Sequence, residues 1–222
     1  MDRTKRLVFL VVMSFVLSTG AWAQSSLIGI LVFEGFLTSD VTAPIEVFGA
    51  ASKKPSFSSH KVIVISATKE KTVVSEEGLR IVADKTIYDD LKLDVLIVPS
   101  SYKMDGVLKN KDLVNFVKNQ SKSASWMASN CAGAFLLGEA GVLDNKRATT
   151  WAGGEKDLAK SYPKIKVQFD NNVVVDDKVI TSNGGPVSYQ AAFELLAKLS
   201  SQKFANEISQ LIQFDRLKNA FK

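Results

Sequence analysis

The 222-residue chain contains one cysteine and one histidine. One cysteine excludes a disulfide within the chain, and one histidine beside it leaves no basis for a Cys/His metal cluster. No metal and no cofactor is therefore expected. The same scarcity narrows covalent catalysis, because a side-chain nucleophile commonly takes its activation from an imidazole, and the only imidazole is His60. Basic residues outnumber acidic ones, 28 to 23. The lysines are nevertheless scattered, with no cluster interleaved with aromatics, so no nucleic-acid partner is expected. Internal repeats, low-complexity tracts and long linkers are missing, which favours a single domain.

What is present starts with an export signal. "MDRTKR" is a basic opening, "LVFLVVMSFVL" (7–17) an apolar run short for a bilayer span, and "STGAWA" ends in Ala21-Trp22-Ala23. This is the pattern of a secretory signal peptide over residues 1–23, leaving 24–222 as one domain. No cysteine near the cut is available for a lipid. Loss of Arg3, Lys5, Arg6 and Asp2 takes the formal charge from +5 to +3. The mature chain is expected in the periplasm or outside the cell, soluble and free of the membrane. Such compartments oxidise paired thiols, so a lone cysteine there is either buried and inert or kept for its reactivity.

Short apolar, β-branched runs at 27–33, 60–68, 93–99 and 124–130 read as buried strands. Helical spacing marks 39–52, 111–122, 132–143, 186–201 and 202–222. Residues 71–87 read as a hairpin turning near Glu77-Gly78, and 164–183 as short strands. Strands alternating with helices predict an α/β fold, a parallel sheet sandwiched by helices. Its reactive edge lies at the carboxyl ends of the strands, which selects the loops 34–40, 99–106 and 129–133.

The loop "SNCAGAFLLGEAG" (129–141) holds Cys131 between a strand and a helix. A tight turn there lifts the side chain to the sheet rim, as in a nucleophile elbow. Ala132 and Gly133 let another loop approach closely. The free N–H groups of the following helix favour the thiolate, the nucleophilic form. Asp40, four residues before Pro44, reads from the residues alone either as a helix N-cap or as an acid near the thiol. Glu34 reads as a solvated loop residue, and His60 as a strand-end residue at the amino edge of the sheet.

Three stretches, "SNCAGAFLLGEAGVLDNKRATTW" (129–151), "KVITSNGGPVSYQAAFELLAKL" (178–199) and "FEGFLTSDVTAPIEVFGAA" (33–51), resemble the ThiJ/PfpI family of the class I glutamine amidotransferase-like superfamily. The resemblance covers most of 27–200 and implies a flavodoxin-like domain, usually dimeric. It implies Cys131 as the elbow nucleophile and Asp40 as its acid partner, closest to the isonitrile-hydratase-like and regulator-domain branch. Ser39 is then left to cap the helix. A thiolate and a carboxylate in contact cannot both ionise cheaply, so the acid is expected to keep its proton and donate a hydrogen bond to sulfur, the two titrating as a unit. Backbone N–H groups of Ser100, Ser101 and Ala132 are the implied oxyanion donors, and Tyr102, Trp151, Asn183 and Gly184 the implied pocket.

The chain also departs from the family. Relatives often carry His after Ala-Thr-Thr, where this chain has Trp151. The position after the cysteine is His in the protease branch and commonly Thr in the isonitrile-hydratase branch, and here it is Ala132. Ser100-Ser101 stands where Gly-Gly is frequent. These differences argue against His-dependent peptidase or glyoxalase chemistry. Two readings stay open: a cysteine-dependent hydrolase or hydro-lyase acting on a small electrophilic molecule, and a non-enzymatic domain that binds a small ligand or senses oxidant through Cys131.

Overall fold

The computed structural model describes residues 25–219; the expected signal peptide lies outside them. In chain order the elements are β1 (Ser26–Val32), α1 (Thr38–Ala51), β2 (His60–Ser66), β3 (Thr72–Val74), β4 (Arg80–Val82), β5 (Lys85–Thr86), β6 (Val95–Val98), α2 (Met104–Lys109), α3 (Lys111–Gln120), β7 (Trp126–Asn130), α4 (Gly133–Glu139), β8 (Arg147–Ala148), α5 (Glu155–Ser161), β9 (Lys166–Val167), β10 (Val173–Asp176), β11 (Val179–Ser182), α6 (Val187–Leu199) and α7 (Gln202–Leu211).

Seven strands form the central sheet in the order β10-β11-β7-β6-β1-β2-β5. All neighbours run parallel except the edge pair β10–β11. The middle strands are the continuous apolar runs, and every residue of β6 and β11 is buried. A strand covered on both faces needs no polar alternation. One group of helices, α1, α6 and α7, packs together; α2, α3 and α4 form another. Phe36, Phe48 and Phe57 are among the largest side chains wholly removed from solvent, each contributing roughly 1.5–3 kcal/mol.

The expected α/β sandwich is thus present, with local differences. The hairpin is β3–β4, but residues 85–86 leave it to pair with β2 as the outer strand of the main sheet. The stretch 164–183 divides: β9 pairs with β8 in a separate ribbon, while β10 and β11 join the main sheet. Helices α2 and α5, six and seven residues long, are too short to show a helical period in sequence. The helix expected over 202–222 is α-helical only to Leu211, and a 3-10 turn follows over Phe214–Asn219.

The strand order positions the site. From β1 the chain moves outward to β2, returns to β6 on β1's other side, and continues to β7. The connections diverge between β1 and β6, opening a crevice at the carboxyl ends of those strands. The loops after β1, β6 and β7 meet there: Leu37 N–H donates to the Ser100 carbonyl, and Cys131 N–H to the Ser182 carbonyl at the end of β11.

Candidate active site

Cys131 follows the last residue of β7 and has φ 50. A left-handed non-glycine residue costs about 1–3 kcal/mol and persists only where its surroundings fix it. Its N–H donates to Ser182 O at 2.9 Å, and its carbonyl accepts from Thr150 Oγ1 at 2.9 Å. Thr149 N–H is tied to Thr181 Oγ1 at 2.8 Å, so the Ala-Thr-Thr stretch braces the elbow from outside. Gly133 lets the end of β6 close on it: a Cβ there would stand 2.5 Å from the Val98 carbonyl oxygen. The sulfur residue is half-buried at the base of a cleft of about 590 Å³.

Asp40 sits in the first turn of α1 and is 0% exposed. It is not the cap. Neither is Ser39: the N-cap position is Leu37, and the Glu77 carboxylate of the hairpin instead accepts from Thr38 N–H at 3.0 Å and from its hydroxyl. The Asp40 carboxyl turns inward and accepts four hydrogen bonds. Oδ2 takes Ser100 N–H at 3.0 Å and Ser100 Oγ at 2.6 Å. Oδ1 takes Gly185 N–H at 2.9 Å and Ser188 Oγ at 3.0 Å. Asn130 on β7 donates to the Asp40 main-chain carbonyl at 2.9 Å and accepts from Ser182 Oγ at 2.7 Å, locking α1 to the elbow strand.

This geometry changes two expectations. The acid does not hydrogen-bond the sulfur; its partners are Ser100, Gly185 and Ser188. Ser100 N–H, expected as an oxyanion donor, already serves the Asp40 carboxylate. Ser101 and Ala132 both line the cleft.

The thiolate expected from the helix end is not what the surroundings favour. Burial pushes the Cys131 thiol up; the Ser100 hydroxyl pulls it down, the Asp40 charge pushes it up again, and the Ala132 N–H offsets part of that. Helix α4 has only seven residues, and its end does not outweigh desolvation. Burial likewise raises the Asp40 carboxyl, against the pull of Ser100, Gly185 and Ser188. Both groups are pushed toward their neutral forms, so the pair carries at most one negative charge cheaply.

Tyr102, Trp151, Asn183 and Gly184 all border the cleft. Tyr102 is 75% exposed at the rim, while Trp151 stacks on Phe135 at 5.3 Å between centroids. The Asn183 amide bridges the Thr150 and Asn171 carbonyls, a structural use of that side chain. Leu37, Met104 and Asp105 also face the cleft. Sequence reasoning missed them because α2, which carries two of them, left no periodic signal. Ser188, in the first turn of α6, was missed for want of any local sign that it reaches Asp40. His60 stacks on Phe57 at 3.7 Å, at the start of β2 and the opposite end from the elbow. Glu34 is exposed, as expected, and accepts from Val74 N–H at 3.2 Å.

Residues 27–198 match the DJ-1/PfpI family. The chain belongs to that family. Isonitrile hydratase of Pseudomonas putida is 29% identical over 188 residues, covering 84% of this chain and 75% of the relative. A glutathione-independent glyoxalase of Caenorhabditis elegans is 23% identical over 148 residues, covering 66% of this chain and 77% of the relative. Among solved structures, a ThiJ/PfpI family protein from Pseudomonas syringae superposes with a TM-score of 0.77 at 23% identity, covering 93% of this chain and 82% of that one. The DJ-1/PfpI fold therefore extends over nearly all described residues.

Proposed function

We propose that the chain is a cysteine-dependent hydro-lyase or hydrolase that adds the Cys131 thiol to a small, neutral, electrophilic carbon. One observation carries this reading: a half-buried thiol, held in a left-handed elbow, opens into a cleft with a buried acid wired beneath it. The similarity to an isonitrile hydratase supports an isonitrile as the first substrate to try. The S–H bond adds across the terminal carbon of R–N≡C, giving R–N=CH–S–Cys131. Water then adds to that carbon and sulfur leaves with a proton, giving R–NH–CHO and the free thiol. Ala132 N–H and the cleft face of Ser101 are placed to steady charge on the adduct.

The lining of the cleft bears on substrate charge. Leu37, Met104, Trp151 and Ala132 make it largely apolar, no Lys or Arg is among the described lining residues, and Asp105 is its single carboxylate. Neutral reagents are favoured over anionic ones. Relative to free cysteine, Cys131 is expected to prefer iodoacetamide over iodoacetate by about fivefold, an energy of about 1 kcal/mol for a like charge a few ångströms away in partly solvated surroundings. Equal relative rates for the two reagents contradict this assignment.

The decisive test is turnover. An alkyl isonitrile incubated with the purified chain is expected to yield the N-alkyl formamide by NMR, and Cys131→Ser to lower that rate at least about 100-fold. Isonitrile, nitrile and aldehyde panels that are bound yet unchanged refute the enzyme and leave the ligand-binding or oxidant-sensing reading. In that case mild peroxide adds oxygen at Cys131 without loss of fold. We further propose that the chain acts as a homodimer after export and removal of residues 1–23; the basic, apolar and Ala-Trp-Ala succession supports the export part.

A further inference from the structure

Trp151 is the largest side chain lining the cleft, and its neighbours hold it in place. The preceding residue is tied to the elbow: Thr150 Oγ1 donates to the Cys131 carbonyl at 2.9 Å. Phe135, on α4, stacks on the indole at 5.3 Å between centroids and 25° between planes. Tyr162 backs Phe135 edge-on at 5.9 Å, and its hydroxyl donates to Glu139 at 3.0 Å. Gly154 lies against the indole itself. A turn closed by Gly154 N–H on the Trp151 carbonyl at 2.9 Å brings it there, and Gly153 N–H donates to the Glu155 carboxylate at 2.8 Å beside it. A Cβ at Gly154 would stand 2.1 Å from Cε2 of the indole and 2.4 Å from Cδ2 and Cζ2. Cε2 is a ring-fusion carbon whose in-plane directions are all taken by bonds, so only a face of the ring can be approached this closely. Gly154 therefore sits on that face with no room for a side chain.

We infer that Trp151 is a specificity-determining residue, selecting electrophiles that carry a bulky hydrocarbon substituent, and that Gly154 is its positioning residue. Trp151 is only half-buried, so part of the indole is left to meet a ligand. Leu37 and Met104 add apolar surface to the same cleft. Its volume of about 590 Å³ exceeds what a reacting carbon and a methyl group fill, which leaves space for a larger group. A hydrocarbon substituent that packs on the indole loses its contact with water. The ring is already immobilised, so little further ordering opposes that gain. The inference rests on Cys131 being the reacting group of this cleft, as proposed above, but not on turnover.

The test compares alkylation of Cys131 in the whole chain by N-methylmaleimide and N-cyclohexylmaleimide. Each rate is divided by that of free cysteine, which removes the reagents' own reactivity. Wild type is expected to prefer the cyclohexyl reagent by at least about tenfold, the discrimination that added methylenes give in an apolar pocket. Trp151→Ala is expected to lower that preference at least about fivefold. Gly154 does not border the cleft, and its φ of −93 suits alanine. Gly154→Ala is therefore expected to act only by displacing the indole, changing the preference at least about threefold. In the Trp151→Ala background the same substitution is expected to change nothing, because no ring is left to displace. A wild-type chain with no preference, or with the opposite one, overturns the inference without recourse to variants. So does an unchanged preference in folded Trp151→Ala or folded Gly154→Ala, or a Gly154→Ala effect that persists without the indole. A Cys131 that neither maleimide labels overturns it together with the proposed function. Hydration of cyclohexyl isonitrile is scored separately: a preference without formamide sinks the enzyme and keeps the selecting wall, and formamide without a preference does the reverse.

Discussion

Gly184→Ala is expected to destabilise the chain by roughly 3–5 kcal/mol, with a melting temperature lower by about 10 °C. Two costs add at this position. The backbone is left-handed, with φ +76, and a Cβ there would lie 2.3 Å from Cys131 Cβ, 2.8 Å from its N and 2.9 Å from Asp40 Oδ1. None of these neighbours can retreat. Cys131 N is bonded to Ser182, and Asp40 is held by four donors. The elbow must shift, so alkylation of Cys131 should change along with stability. Gly78→Ala is the matched control: φ +90, with nothing within 4 Å of the added carbon. It should lose only the backbone term, about 1–2 kcal/mol. Equal melting temperatures for the two variants would mean that Gly184 is not wedged between the cysteine and the acid.

The second large effect is expected at Asp40. Removing the carboxyl in Asp40→Ala strands two main-chain N–H groups and two hydroxyls that all point at one buried spot. An unsatisfied buried donor costs about 1–3 kcal/mol. Main-chain donors cannot turn away, whereas hydroxyls can, so a loss on the order of 4 kcal/mol in urea unfolding is expected. Asp40→Asn keeps one acceptor and should lose less. Its pH dependence carries a sign. Burial raises the folded carboxyl above the ordinary value of 3.8. The native state then holds more protons than the unfolded one, and wild-type stability falls as pH rises from about 3.8 through the folded value. Asn does not titrate, so the stability gap between wild type and Asp40→Asn should be widest in acid and narrow as pH rises. A gap that widens with pH would show that the four donors outweigh burial and that the acid rests as a firm carboxylate.

These expectations depend on contacts that no local stretch of sequence displays. Cys131 could be placed at a strand-to-helix bend because a continuous apolar run stops at Asn130 and small residues follow it. The bend itself follows from that succession, and φ 50 is what it takes to make it. Asp40 could be named as a partner only through the resemblance around Pro44; its residues alone fit a cap equally well. Which role it takes depends on Ser100, Gly185 and Ser188, which lie 60, 145 and 148 positions away. Ser100 is legible as a loop residue near the site, but its N–H, expected for an oxyanion, goes with its hydroxyl to Asp40. A sequence does not show that both polar groups of one residue are taken by a carboxyl sixty residues back.

The sequence by itself determined the alternation of the main strands and helices, the parallel sheet, the presence of one cysteine and one histidine, and the loop that carries the thiol. Periodicity and composition are local properties, and burial on two faces writes them directly into the run of residues. Only the tertiary structure decided how the thiol and the acid are connected. The direction of the Asp40 carboxyl, the four donors that hold it, and the cost of ionising it or the thiol are set by packing of α1 against the ends of β6 and β7 and the start of α6. Desolvation and hydrogen-bond geometry arise from neighbours in space, and those neighbours are distant in the chain.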